Sequence, residues 1–155
     1  MRISINPQMQ LGEVDISKIS FDPKSRDDIP KILKGLQYLY TNLKIREELF
    51  KVLEANILPE KNKKNGRPGM QLWRIFVLAI LRVNLNCDYD RLQELANNHS
   101  ILRQMLGHPS VFDKHYYELQ TIKDNVSLLT PEILDEINQL VVKTGHALLK
   151  KTKHL

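Results

Sequence analysis

Apolar residues recur at helical spacing from Asp27 to Tyr40, where Ile29, Ile32, Leu33, Leu36, Leu39 and Tyr40 form one stripe. Asp27 and Asp28 lie where the positive end of that helix dipole favours acids. A second stripe, Ile45, Leu49, Val52 and Leu53, leaves Lys44, Arg46, Glu47, Glu48 and Lys51 for water, with Asn42 in position to cap it. Ile57, Leu58 and Pro59 predict its end. From near Met70 the pattern changes: Leu72, Trp73, Ile75, Phe76, Val77, Leu78, Ala79, Ile80, Leu81 and Val83 leave only Gln71, Arg74 and Arg82 polar. At ~100° per residue those three share a sector about 80° wide. A helix apolar on almost every side belongs in the centre of a domain.

Asn84-Leu85-Asn86-Cys87 interrupts the pattern, and Asp88 offers the next cap, with Asp90 in the first turn and Leu92, Leu95 and Ala96 facing inward. Asn97, Asn98 and His99 predict a second turn. Ser100 then caps a short third helix through Ile101, Leu102, Met105 and Leu106, which Gly107 and Pro109 end. Thr130 and Pro131 start a last helix in which Leu134, Ile137, Val141 and Leu148 follow a 3-4 spacing interrupted at Thr144, and Gly145 weakens it. About two heptads are too few for a coiled coil, so that stripe is expected to pack within the chain.

The expected fold is therefore all-α, a bundle of about six to seven helices containing a helix-turn-helix-like three-helix segment. Residues 1–26 read as an extended or partly ordered N-terminal arm. Residues 27–150 form one helical domain: a hairpin over 27–57, a basic linker over 58–68, the three-helix segment over 69–107 and C-terminal helices over 115–150. Residues 151–155 are a basic tail.

At 155 residues and 42% hydrophobic, the chain suits one modest core. Its longest apolar run, Ile75 to Leu81, is far short of the ~20 residues that span a bilayer, and the first ten residues lack a signal-peptide core. A cytoplasmic protein with no membrane partner is expected. Cys87 is the single cysteine, expected to be a small buried residue, which excludes an intrachain disulfide and a multi-thiolate zinc site. His99, His108, His115 and His146 have neither the i, i+4 pairing nor the spacing of zinc ligands, and Ser100 has no nucleophile-elbow context. Asp88, Asp90 and Glu94 suit a helix start better than a metal. Gly66 and Gly69 follow no strand, so no phosphate loop is read there. Neither catalysis nor a cofactor is expected of this chain.

The net charge of +5 is less informative than where it lies. Residues 58–68 hold four Lys or Arg to one acid, residues 111–142 two to six, and residues 143–155 four to none. If the three-helix segment is a helix-turn-helix, Asn98, His99, Ser100, Arg103 and Gln104 face base edges, and Lys61, Lys63, Lys64 and Arg67 suit phosphates. Arg74 and Arg82 either reach phosphates or pair with neighbouring carboxylates. The third helix is short for recognition and its turn lacks a glycine, so a plain helical bundle fits the same spacing.

The string GRPGMQLWRIFVLAILRVNLNCDYDRLQELANNHSILRQMLGH, followed by YELQTIKDNVSLLTPEILDEINQLVV and KTGHALLKK, closely resembles the N-terminal region of bacterial insertion-sequence transposases of the ISNCY group, allied to InsH-like DDE transposases. The resemblance covers about Leu43 to Lys151. It implies a helical region that holds the double-stranded DNA of the element's terminal inverted repeats and assembles the transposase, a homodimer included. The Mg²⁺-dependent RNase H-like domain of such proteins lies beyond the region resembled, so no acidic residue here matches the DDE set and no cofactor is implied for this portion. A second function class stays open: a helical module that pairs protomers, or an inactive remnant. Arg67, Arg74, Arg82, Arg91 and Arg103 on one face with the lysines would favour DNA. Their dispersal or pairing to carboxylates would favour the module.

Overall fold

A computed structural model describes residues 15–64, 70–109 and 113–143. Among them the regular structure is entirely helical: α1 (Asp28–Thr41), α2 (Leu43–Lys64), α3 (Leu72–Leu85), α4 (Tyr89–Asn98), α5 (Ser100–Met105), α6 (Leu119–Val126) and α7 (Pro131–Lys143). The expected all-α bundle is what forms, and the helix, turn, helix, tight turn, short helix order of the central segment is α3, α4 and α5. No helix among the described residues is long and apolar enough to cross a membrane.

Helix α3 is the axis. Leu72, Trp73, Ile75, Phe76, Val77, Leu78, Ala79 and Leu81 are all buried, and α1, α2, α4 and α6 pack against it. The fully buried Trp73 ring meets Tyr40 at 4.7 Å, Phe76 at 5.9 Å and Phe50 at 6.5 Å between centroids, all tilted. Its indole N–H donates to the Met105 carbonyl at 2.9 Å, so a polar atom in the core is satisfied and the end of α5 is tied to the start of α3.

Helix starts follow the sequence closely because caps are local. Asp27, Asn42, Asp88 and Thr130 accept from the backbone N–H groups of Ile29 (3.1 Å), Ile45 (3.1 Å), Arg91 (2.8 Å) and Ile133 (3.3 Å). Each such cap contributes about 1 kcal/mol. The α3–α4 corner is made by Asn86, whose φ of 52° and ψ of 46° are left-handed, a conformation asparagine tolerates better than most residues.

Three local expectations are corrected. Helix α2 does not stop at Pro59 but runs to Lys64, because the good helix formers after it, Glu60, Lys61, Lys63 and Lys64, outweigh the one backbone bond that proline cannot make. Helix α4 runs through Asn98, leaving His99 alone between α4 and α5. The cap of α5 is therefore His99, whose Nδ1 accepts from Leu102 N–H at 3.2 Å, and Ser100 is the first helical residue. Of the arm read as extended or partly ordered, residues 15–26 are described, and their first turn is ordered against α1. A 3-10 turn over Ile16–Lys18 buries Ile16 and Ile19, and the Gln37 amide donates to both their carbonyls at 2.9 and 3.0 Å. Residues 1–14 and the tail 151–155 lie outside the described residues. Cys87 is half-buried against the core, and burial pushes its thiol pKa up.

Asn86→Val should cost about 1–2 kcal/mol, since a β-branched side chain is strained at positive φ, whereas Asn86→Gly should hold or gain stability. Urea denaturation of the three proteins checks this, and equal midpoints for Val and Gly would contradict it.

Candidate nucleic-acid interface

The polar side chains of this fold converge where α5 hands the chain to α6. Gly107, at φ 96°, turns it sharply after α5, and a β-carbon there would lie 3.8 Å from the Arg74 guanidinium. The turn drops His108 into the interior, where it is 2% exposed. Its Nδ1 lies 2.7 Å from Asp113 Oδ2 and its Nε2 2.6 Å from the Tyr117 hydroxyl. With Asp113 ionised, Nδ1 carries the proton and Nε2 accepts from Tyr117. The His115 ring stacks on His108 at 5.0 Å and meets Tyr117 edge-on at 4.6 Å.

Burial pushes the His108 pKa down to about 4, overriding the upward pull of Asp113, and pushes Tyr117 up to about 12. Burial also lowers His115, helped by Arg74, and lowers His99. At Asp113 burial pulls upward, but hydrogen bonds from the His115 N–H and His108 win and hold the carboxyl below its usual value. His108 is 2% exposed and both of its ring nitrogens are held, one by Asp113 and one by the Tyr117 hydroxyl. The relay acts as a lock on the chain from Gly107 to Tyr117.

Amides complete the lock. Asn97 Oδ1 accepts from Tyr117 N–H at 2.7 Å and its Nδ2 donates to the Tyr117 carbonyl at 3.0 Å. Gln93 Nε2 reaches that carbonyl and the Tyr116 hydroxyl, both at 3.0 Å. Arg103 spans the gap from α5, donating to the carbonyls of Ala96 (2.9 Å), His115 (2.9 Å) and Asp113 (3.4 Å). Beside it opens a shallow polar cleft of about 370 Å³, bordered by Asn98, Ser100, Arg103, Lys114, His115 and Tyr116.

The candidate residues are thus divided. Asn98, exposed at the end of α4 with Nδ2 on the Glu94 carbonyl at 3.0 Å, shares the cleft with exposed Ser100 and with Arg103. Gln104 is half-buried on α5. His99 is half-buried as the cap, 4.0 Å from Asp27. Arg91 pairs with Glu94 at 2.8 Å on the surface of α4. Of the two routes open to them in sequence, pairing with a carboxylate is not the one seen among the described residues: Arg74 donates to the Leu106 carbonyl at 2.8 Å, and the Arg82 guanidinium lies 4.1 Å over the Tyr89 ring. Lys61, Lys63 and Lys64 stand on the last turns of α2, but their side chains, like all of Arg67, lie outside the described residues. Sequence reasoning missed Lys114, Tyr116 and the His108–Asp113–Tyr117 relay, because the sequence between α5 and α6 has no apolar period. Of the acids near the start of α4, Asp88 caps and Glu94 pairs with Arg91. No group of three or more His, Cys, Asp or Glu among the described residues is placed to hold a metal. No family model, curated protein or solved structure matches the chain.

Two predictions follow from these contacts. His108 binds a proton less readily folded than unfolded, so its contribution is complete above pH ~6.5 and is lost as pH falls toward ~4; Asp113, also lowered, adds in the same sense below its ordinary value. Stability should therefore fall between pH 6.5 and 4 by on the order of 2–3 kcal/mol, read from urea midpoints, and His108→Gln should flatten that slope. Arg103→Ala strips charged donors from two or three carbonyls and should cost about 2–4 kcal/mol in the same assay. A loss within 0.5 kcal/mol would show that the clamp carries little.

Proposed function

We propose that this chain is the DNA-binding N-terminal portion of an insertion-sequence transposase, holding terminal inverted-repeat DNA without performing strand chemistry itself. What carries the reading is the run of Lys61, Lys63 and Lys64 in the last turns of α2, followed in sequence by Arg67, four cations to one acid directly ahead of the three-helix unit. The resemblance to ISNCY transposases read from the sequence points the same way. Phosphate contact falls to those four residues, which give affinity and salt dependence but no sequence preference. Base-edge or sugar contact falls to the cleft through Asn98, Ser100 and Lys114, with Tyr116 as an exposed aromatic rim. Arg103, Arg91 and Arg74 already have protein acceptors, so they shape the surface more than they read DNA.

A second reading is favoured by a specific observation. An apolar groove of about 410 Å³ runs between α1, α3 and α7, bordered by Leu36, Leu39, Phe76, Ile80, Leu134 and Ile137. Such a surface suits a helical partner, and with it the role of a module that pairs transposase protomers.

Titration of the chain with its element's terminal repeat and with scrambled duplex, at two salt concentrations, separates the readings. Under the DNA reading log K falls by ~0.9 per neutralised phosphate as log salt rises. Lys61, Lys63 and Lys64 changed together to Ala should weaken both duplexes equally. Lys114→Ala with Asn98→Ala should narrow the gap between them by roughly 1–3 kcal/mol. Absence of a complex with either duplex at low salt rejects DNA binding, and sedimentation then reports whether the chain pairs with itself.

A further inference from the structure

One arginine of the three-helix unit has no acceptor among the described residues. Arg74, Arg91 and Arg103 each donate to an oxygen, whereas Arg82 makes no hydrogen bond and no ion pair with any described residue, and its Nε is sealed from solvent. A guanidinium cannot escape that situation by losing its proton. The Tyr89 face 4.1 Å away is the contact its charge is given among the described residues. Asp88 accepts from the Arg91 N–H and Glu94 pairs with the Arg91 side chain.

Arg82 lines a cleft of about 190 Å³ that also receives Tyr89, Ser127 and Thr130, at the corner where α6 passes into α7. That volume holds several waters or one tetrahedral oxyanion. No carboxylate lines it. The planar fork of an arginine matches two oxygens of a phosphate group, and hydroxyls alongside can donate to the others. Tyr89 supports the plane from one side, so the side chain loses little further freedom when an anion arrives. We propose that Arg82 on its Tyr89 support is the charged wall of a seat for a phosphate-type oxyanion, completed by Ser127 and Thr130. A phosphodiester of a DNA strand and free inorganic phosphate offer the same chemistry. The seat goes beyond the DNA-binding reading, which assigns phosphate contact to the α2 cations, and does not depend on it.

The test is an NMR titration of the whole chain with inorganic phosphate against chloride at constant ionic strength. Saturable shifts are expected at the terminal guanidinium N–H groups of Arg82 and at the Ser127 and Thr130 amides, with a phosphate-specific rise in Tm. Arg82→Gln should abolish both effects, Arg82→Lys should weaken binding several-fold, and Lys34→Gln, on exposed α1 surface, should leave them intact. A duplex arm identifies the source. If Arg82→Gln also lowers the salt slope of DNA binding by ~0.9, the diester occupies the seat. If it removes phosphate binding and leaves duplex affinity unchanged, the seat is for free phosphate. Phosphate binding in a wild-type chain with no duplex affinity keeps the seat and rejects the DNA reading. The seat is overturned by shifts that do not saturate, that fall away from the α6–α7 corner, or that persist in Arg82→Gln. If that variant fails to fold, the location of the wild-type shifts decides.

Discussion

Helix α3 can give almost nothing to water: eight of its fourteen residues are buried, from the start of its first turn to Leu81 near its last. Each buried side chain of this size contributes about 1.5–3 kcal/mol only if something covers it, and on a helix apolar nearly all round the cover must come from several directions. That demand gathers α1, α2, α4 and α6 around it. It also explains Trp73, whose indole must both fill the middle of the core and find an acceptor, and whose acceptor at Met105 sets where α5 lies. The polar cleft is downstream of that placement. Moving α5 would remove Arg103 from the carbonyls of Ala96 and His115, and with them the segment that carries Lys114 and Tyr116.

The basic residues of this protein serve two different ends. In the folded body arginine acts mainly as a multi-donor fastener. Arg46 reaches the Tyr40 carbonyl at 2.9 Å, Arg74 that of Leu106, and Arg103 joins α4, α5 and the 113–115 segment. A guanidinium presents five donors in one plane and stays charged wherever it lies, so it satisfies several stranded carbonyls at once. The lysines whose burial is described are all exposed, and three more stand at the end of α2. Among the described arginines of the three-helix unit, Arg82 alone has been placed without being given an oxygen, which is why it points to a ligand when its neighbours do not.

The proportion that could be read in advance follows from the range of the interactions concerned. Helix positions and caps depend on neighbours three or four residues away, so Asn42 and Asp88 are legible as caps, Asp27 and Thr130 as marking helix starts, and α3 as the central helix. Pro59 was misleading because a single lost backbone bond is weighed against the whole stretch that follows. The cap of α5 shifted from Ser100 to His99 because a boundary one residue later changes which side chain stands at the N-cap. The candidate interface was half legible. The cations at the end of α2 and the α4–α5 junction are visible as composition, while Lys114, Tyr116 and the His108 relay come from a stretch of sequence without apolar periodicity.

The amino-acid order alone determined the helical class, the centrality of α3, most helix starts and the clustering of charge, since all of these are set by periods and neighbours along the chain. It could not say what any arginine would hold. Whether Arg103 meets a base or the carbonyls of Ala96 and His115, and whether Arg82 meets a carboxylate or only the face of Tyr89, depends on groups 7 to 12 residues away in the sequence that the packing around α3 brings to hydrogen-bonding or ring-contact distance. Only the tertiary structure decided that, because a donor's partner is fixed by position in space and by the exclusion of water, neither of which is written in local spacing.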